Sequence, residues 1–132
     1  MKSYTDLEQS KKLAEILPIE SADNLIFSIG YNDGVKTVTM PKETLVFIKT
    51  PFSDIRKTIP CWSLSALLNV LPVSCDDEQH CLALINHNPN EKTEWLCAYE
   101  DDKGNLMMEC YADNQIDACV AMIEKLHEQN LL

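Results

Sequence analysis

The stretch PCWSLSALLNVLP, Pro60–Pro72, decides the fold. Its leucines recur at the i, i+3, i+4 and i+7 spacing of one helical face: Leu64, Leu67, Leu68 and Leu71. Ser63 is a strong N-cap residue because its hydroxyl accepts from the free backbone N–H groups of a first turn. Trp62 stands where it can form a hydrophobic staple with Leu67, and Pro72 cannot continue the helix. A helix with this leucine face must be covered by a sheet or by other helices, so the stretch predicts a core element.

A first helix is predicted near the start of the chain. Thr5, followed three residues later by Glu8, has the pattern of a capping box. This pattern opens a helix over residues 6–17, and Pro18 ends it. The apolar side of this helix consists of Leu7, Leu13, Ala14, Ile16 and Leu17.

Residues 24–41 predict a β-hairpin, because their apolar side chains alternate with the period of a strand. The dipeptide Asp33-Gly34 favours a two-residue turn, since both residues tolerate positive φ. That turn pairs Ile29 with Val38 and places apolar residues opposite one another. A loop of three residues would break this match, so the hydrophobic pattern selects the short turn.

The segment Thr44–Thr50, TLVFIKT, is apolar on both faces and predicts a third strand. Pro51 to Ile59 is expected to be an exposed connection into the leucine helix. Residues 73–79, VSCDDEQ, are expected to form an acidic loop after it.

The second half of the chain predicts three more strands and a helix. The strands are Cys81–His87, Thr93–Glu100 and a segment around Leu106, Met108 and Cys110. Trp95, Cys97 and Tyr99 share one face of the middle strand. A capping pattern at Asn114 and Asp117 opens a last helix that runs to about Gln129, with an inner face of Ile116, Cys119, Val120, Ile123, Leu126 and His127.

The element order is therefore α-β-β-β-α-β-β-β-α. Long helices do not alternate with single strands, so the sequence predicts an α+β fold with three helices and mostly antiparallel sheets of five to six strands. Both halves share the order of strands and helix, but no residue-level similarity supports a duplication. A chain of 132 residues is expected to form a single domain over residues 1–132.

Composition narrows the classes of partner. The net charge of −10 argues against direct binding to nucleic-acid phosphates or to an anionic membrane. We see no apolar leader and no apolar run of about 18 residues, and the six cysteines indicate reduced thiols, so a cytoplasmic protein is expected. The acidity serves either solubility or a surface that engages a basic partner.

Cys75, His80, Cys81 and His87 are the candidate metal ligands, because they lie close in the sequence. Structural zinc sites usually draw on tight C-x₂₋₄-C or H-x₃₋₅-H pairs, and the chain has no C-x-x-C. The adjacent His80 and Cys81 would point to opposite faces of a strand. We therefore expect no metal site, and an exposed histidine beside a core thiol.

Cys61 precedes the leucine helix, where the positive end of the helix dipole can lower a thiol pKa. A cysteine nucleophile also needs a positioned base, and the three histidines are His80, His87 and His127. No spacing links any of them to Cys61. We therefore expect no catalytic residue.

Cys97 and Cys110 pair directly across the last hairpin if Lys103-Gly104 is its two-residue turn. A disulfide and two buried thiols near Cys119 are the alternatives, and a reducing compartment favours the thiols.

The turn residues Asp101, Asp102 and Asn105, with Glu109, only loosely match a calcium loop, because Lys103 occupies its third position. A charged hairpin turn is the expectation. The chain has three glycines and no phosphate-binding glycine motif, so no cofactor is expected.

Three segments resemble a family of small uncharacterised proteins from gut Bacteroides and related bacteria, often found near phage-like or mobile elements. These segments are TDLEQSKKLAEILPIESAD, IPCWSLSALLNVLP and YADNQIDACVAMIEKLHEQNLL. The resemblance implies no activity and no catalytic residues. The βββα order of the second half is also similar to small antitoxin-like domains of the HicB type.

The sequence therefore predicts a cytoplasmic protein of unknown function, most simply a non-catalytic binding or accessory protein. One alternative is an acidic protein of a mobile element that binds and inhibits a basic protein partner. A thiol- or metal-dependent enzyme is the third possibility. The apolar end Leu131-Leu132 either folds back or contacts a second chain, which corresponds to a monomer or a weak homodimer.

Overall fold

The computed structural model describes residues 2–31, 34–42, 58–74, 76, 79–87 and 94–132, with backbone alone for 27–31, 34–36 and 87. The elements in this part of the chain are α1 (Leu7–Ile16), a 3₁₀ turn (Ile19–Ser21), β1 (Asn24–Tyr31), β2 (Gly34–Pro41), β3 (Ile59–Cys61), α2 (Leu64–Val70), β4 (Cys81–His87), β5 (Glu94–Glu100), β6 (Leu106–Ala112) and α3 (Gln115–Glu128).

Two antiparallel three-stranded sheets, ordered β2-β1-β3 and β4-β5-β6, confirm the predicted α+β class. The predicted strand Thr44–Thr50 lies outside the described residues. The third strand of the first sheet is β3, which was not predicted as a strand: Ile59 was assigned to the exposed connection, and Pro60 and Cys61 to the stretch that leads into the leucine helix. Pairing of β3 with the start of β1 sets Cys61 opposite Asn24. Because β3 has only three residues, it is too short to show a strand period in the sequence.

The leucine helix forms as predicted. The Ser63 hydroxyl accepts from the Ala66 backbone N–H at 3.2 Å, and the helix ends before Leu71. Trp62 and Leu67 are fully buried in the same core, while Leu68 is only half-buried against it. The helix is therefore a core element, and Leu67 is its fully buried leucine.

The capping box of α1 lies one residue later than predicted. Asp6, not Thr5, is the N-cap, and Gln9, not Glu8, closes the box. Thr5 instead contacts the segment ahead of α2: its N–H donates to the Trp62 carbonyl at 2.9 Å, and its hydroxyl accepts from the Trp62 N–H at 3.1 Å. The structure thus uses Thr5 to join two distant segments, a role that local spacing does not reveal.

The first hairpin pairs Tyr31 with Gly34 and Ile29 with Lys36, so the predicted pairing of Ile29 with Val38 is wrong by two residues. A shift of two residues leaves every side chain on the same face of the strand. The alternation of apolar residues therefore cannot distinguish the two registers.

The last hairpin also has a different turn from the one predicted. The Asp101 N–H donates to the Asn105 carbonyl at 3.0 Å, which encloses three residues, and Gly104 has a φ of +81°. Such loops usually place glycine in the left-handed region and are followed by a bulge. Here the register shifts between Tyr99 and Glu100, which restores the predicted pairing of Cys97 with Cys110.

The last helix, α3, is capped by Asn114 as predicted. The predicted inner face is buried except for His127, which is exposed and corrects that assignment. Ala118 and Met122 are buried as well, because α3 packs against β5 and β6 and also against α1 and α2. None of the described helices is long and apolar enough to cross a membrane.

Candidate functional site

The second sheet has two chemically different faces. Cys97, Tyr99 and Met108 point into the core, where they join the buried residues of α3. The register places Ile85 and Tyr111 on the opposite side of the sheet, each across from Leu96. Leu96 is buried, whereas Ile85 and Tyr111 are 38% and 45% exposed. The flanking strands therefore carry the accessible apolar groups of this side.

The charges of the sheet all lie on that second side. The three strands contain three glutamates and no lysine or arginine. Glu94 pairs with His87, Glu100 with Cys81 and Glu109 with Ala98, which sets each carboxylate on the side of Leu96. We call this side the acidic face. Its glutamates lie on β5 and β6, and all three charges have the same sign.

Tyr111 and Glu109 lie next to each other on the acidic face. The Tyr111 hydroxyl donates to the Glu109 carboxylate at 3.1 Å. This hydrogen bond, followed by burial and the charge of Glu109, raises the pKa of the Tyr111 hydroxyl. The pair gives β6 a negatively charged group directly beside an exposed aromatic ring.

An open cleft of about 590 Å³ adjoins one end of the acidic face. It is lined by Gln79, His80, Cys81, Leu82, Glu100, Asp101 and Asp102. Cys81 and Glu100 belong to both the cleft and the acidic face. The cleft therefore extends the negative charge of the sheet past its end.

His80 is held at the cleft by Asp76. The Asp76 carboxylate accepts from the His80 backbone N–H at 2.8 Å and also contacts ring Nδ1. Partial burial raises the pKa of Asp76, but the hydrogen bonds from His80 outweigh it and leave that pKa below its ordinary value. Among the described residues, no histidine ring is hydrogen-bonded to a cysteine thiol, so the geometry gives no nucleophile and base in contact.

The candidate metal ligands do not converge within the described residues, which hold no group of three metal-binding side chains. Cys75 and the His87 side chain lie outside the described part. Cys81 is exposed, so the expectation of a core thiol beside His80 is wrong. The Asp101 carboxylate instead accepts from the backbone N–H groups of Lys103 and Asn105 at 2.9 and 2.8 Å, which confirms the predicted charged turn.

The remaining cysteines belong to the interior. Cys61 is fully buried, and burial followed by the charge of Asp23 raises the pKa of its thiol to about 12. This shift is opposite to the one predicted from the helix dipole. Cys97 and Cys119 are buried free thiols, and a hydrogen bond to Cys119 together with burial raises the pKa of Cys97.

A second cavity of about 460 Å³ offers a comparison. Lys12, Glu15, Glu124 and His127 are among its lining residues. Basic and acidic side chains alternate there, as they do along the exposed side of α1, where Lys11 lies near Glu8 and Glu15. The uniform sign of the acidic face is therefore not a property of the whole surface.

The acidic face was not among the sites expected from the sequence, although a signal for it was present. The prediction that Trp95, Cys97 and Tyr99 share one face implies that Glu94 and Glu100 share the other. Glu109 and Tyr111 follow the same parity in β6. The predicted pairing of Cys97 with Cys110 already sets these two strands side by side, so the sequence contained the information for this face.

No protein-family model, curated protein or solved structure matches this chain.

Proposed function

We propose that this protein is a non-catalytic binding protein, and that it docks a basic part of another protein on its acidic face. The observation that carries this proposal is the one-sided placement of Glu94, Glu100 and Glu109 in a sheet without lysine or arginine. Complementary charges on two proteins raise their rate of association and disfavour partners that carry the wrong charge.

The apolar groups on the same face support a protein ligand. Exposed Ile85, Met107 and Tyr111 provide contact area among the carboxylates. Protein interfaces typically combine an aromatic and aliphatic centre with a charged rim. Nucleic-acid phosphates and anionic lipids would be repelled by the same carboxylates.

The family resemblance supports the more specific form of the proposal. The resemblance is to proteins often found near mobile elements, and a uniformly acidic face suits a protein that inhibits a basic partner. In this form, binding covers a basic functional surface of the partner.

The test uses a fluorescein-labelled peptide, Ac-KTVTKTVTK-NH2, and the intact protein at about 0.15 M ionic strength, where the Debye length is about 8 Å. Fluorescence anisotropy gives Kd for the wild type and for the combined variant Glu94→Gln, Glu100→Gln and Glu109→Gln. Loss of three surface ion pairs at about 0.5 kcal/mol each predicts about tenfold weaker binding.

The matched control replaces three exposed glutamates by glutamine. These are Glu8 and Glu15 of α1 and Glu20 of the 3₁₀ turn. Both variants change the net charge by the same amount. The control should bind within about twofold of the wild type, since charges separated by more than a Debye length are largely screened. Equal losses in both variants, or no binding by the wild type, would overturn the proposal.

A further inference from the structure

Three cysteines meet where α3 packs on the second sheet. Cys97 of β5 and Cys110 of β6 are direct cross-strand partners, and both pack toward the core. Cys119 lies on the buried face of α3, and the Cys97 thiol donates a hydrogen bond to its sulfur. All three are free thiols. The strand β5 and the helix α3 therefore touch through two sulfur atoms.

The three thiols differ in their access to solvent. Cys97 and Cys119 are fully buried, whereas Cys110 is half-buried against the core. Burial raises the pKa of the Cys110 thiol, and the Lys125 ammonium offsets this only in part. A small oxidant therefore reaches Cys110 before the other two and reacts with it slowly at neutral pH, because the thiolate is the reactive form.

Geometry selects the pair that a disulfide can join. Facing residues of an antiparallel pair have Cβ atoms about 4.5–5.5 Å apart, whereas a disulfide needs about 3.5–4.5 Å. Cys97 and Cys110 are thus at the limit of this range. The sulfur atoms of Cys97 and Cys119 are already in hydrogen-bonding contact. That hydrogen bond lowers the pKa of Cys119 and outweighs its burial, which favours Cys119 as an attacking thiolate.

We propose that these three cysteines form a redox-sensitive device, in which hydrogen peroxide oxidises Cys110 and the oxidation ends in a Cys97–Cys119 disulfide that ties β5 to α3. This inference is independent of the proposed function. It assigns a use to the buried thiols that the acidic face leaves unexplained.

The reaction passes through three steps. The Cys110 thiolate attacks the peroxide, the O–O bond breaks, and a sulfenic acid and hydroxide form. The Cys97 sulfur displaces the sulfenic oxygen as water, which gives a Cys97–Cys110 disulfide. The Cys119 thiolate then attacks the Cys97 sulfur and releases Cys110 as a thiol. Two thiols lose two electrons and two protons, and one peroxide is reduced to two waters.

The first test identifies the product. The intact protein is treated with hydrogen peroxide at pH 8.5, the remaining thiols are blocked with iodoacetamide in denaturant, and disulfides are mapped by mass spectrometry. We expect Cys97–Cys119 as the principal disulfide, with Cys61 still a thiol, because Cys61 belongs to the first sheet. A product without Cys97–Cys119, whether a dimer through exposed Cys81 or no disulfide at all, would overturn the proposal.

The second test concerns the route. Cys110→Ser should slow formation of the Cys97–Cys119 disulfide at least fivefold, because it removes the thiol that the oxidant reaches first. Cys81→Ser removes an exposed thiol outside this group and should change the rate less than twofold. Equal rates in both variants and the wild type would contradict entry through Cys110.

Thermal unfolding measures the effect on the fold. The oxidised wild type should unfold about 5 °C or more above the reduced wild type, because a cross-link limits the freedom of the unfolded chain. Dithiothreitol should remove the shift, and Cys119→Ala should show none. The comparison of oxidised with reduced wild type decides the outcome even where Cys119→Ala does not fold. An unchanged or lower Tm after oxidation would mean that the disulfide does not fit the packing of α3 on β5.

Discussion

Cys61 and Cys81 show how the environment of a residue decides its chemistry. Cys61 is enclosed between β1 and the start of α2 and is fully buried. Cys81 stands at the start of β4, where the open cleft exposes it. Only the thiolate reacts readily, so both access and pKa suppress the reactivity of Cys61.

We therefore predict that brief treatment of the native protein with iodoacetamide at pH 8 modifies Cys81 and spares Cys61, Cys97 and Cys119. Peptide mapping by mass spectrometry reads the modified positions, and the denatured protein provides the control in which all thiols react. Rapid modification of native Cys61 would contradict the buried thiol.

The sequence predicted single residues well where a local rule applies. Ser63 and Asn114 are N-caps in the structure because each side-chain oxygen accepts from a backbone N–H in the first turn of the helix that follows it. Thr5 and His127 were placed wrongly, since their positions depend on packing against distant segments. A local capping or periodicity rule contains no such information.

At the scale of elements, α2 offers a direct comparison of neighbouring leucines. Leu67 is fully buried and Leu68 is half-buried. Leu67→Ala should lower the free energy of unfolding by about 2–5 kcal/mol, because it removes buried methyl groups and leaves a cavity. Chemical denaturation measures the loss. Leu68→Ala should cost clearly less, and exposed Ser65→Ala should cost about half a kcal/mol or less. Equal costs for both leucines would mean that the helix is rotated from its described orientation.

The start of α3 is joined to the N-terminal segment through Asp117. This carboxylate accepts from Lys2 Nζ at 2.8 Å, from Gln9 Nε2 at 2.7 Å and from Asn114 Nδ2 at 2.8 Å. Partial burial raises the pKa of Asp117, but the hydrogen bonds outweigh it and hold the pKa below its ordinary value of 3.8. A carboxylate with a lowered pKa stabilises the fold above pH 3.8, and this stabilisation is lost as the pH falls through the folded-state pKa.

Asp117→Asn should therefore destabilise the protein at pH 7 by about 1 kcal/mol or less, and the difference from the wild type should shrink as the pH falls below 3.8. Thermal unfolding followed by circular dichroism at several pH values measures this. Exposed Asp113→Asn is the control and should leave the free energy of unfolding at pH 7 within about half a kcal/mol of the wild type. A difference in stability that grows at low pH would contradict a lowered pKa for Asp117.

Turns mark the limit of sequence reasoning at this scale. The prediction of two-residue turns failed at Gly104, yet the pairing of Cys97 with Cys110 held because a bulge compensates for the longer loop. A register shift of two residues leaves each side chain on the same face of its strand. Faces of strands can therefore be predicted where exact registers cannot.

At the scale of the whole molecule, one sheet face is packed by α3 and the other carries the uniform charge. The predicted α+β class followed from the order of periodic segments, which is a local property. The acidic face depends on the pairing of β5 with β6, which sets Glu109 on the same side of the sheet as Glu94 and Glu100. Charges that look evenly spread along the chain can thus gather on one surface.

The most direct test of the proposed binding face is a titration of nitrogen-15-labelled protein with Ac-KTVTKTVTK-NH2, followed by amide chemical shifts. We expect the largest chemical-shift changes in β6 and at the open cleft beside it, with Glu109 and Tyr111 among the affected residues, while α1 stays unchanged. Changes centred on α1 and the mixed-charge cavity beside Lys12 and His127, or no changes at all, would contradict the proposed binding face.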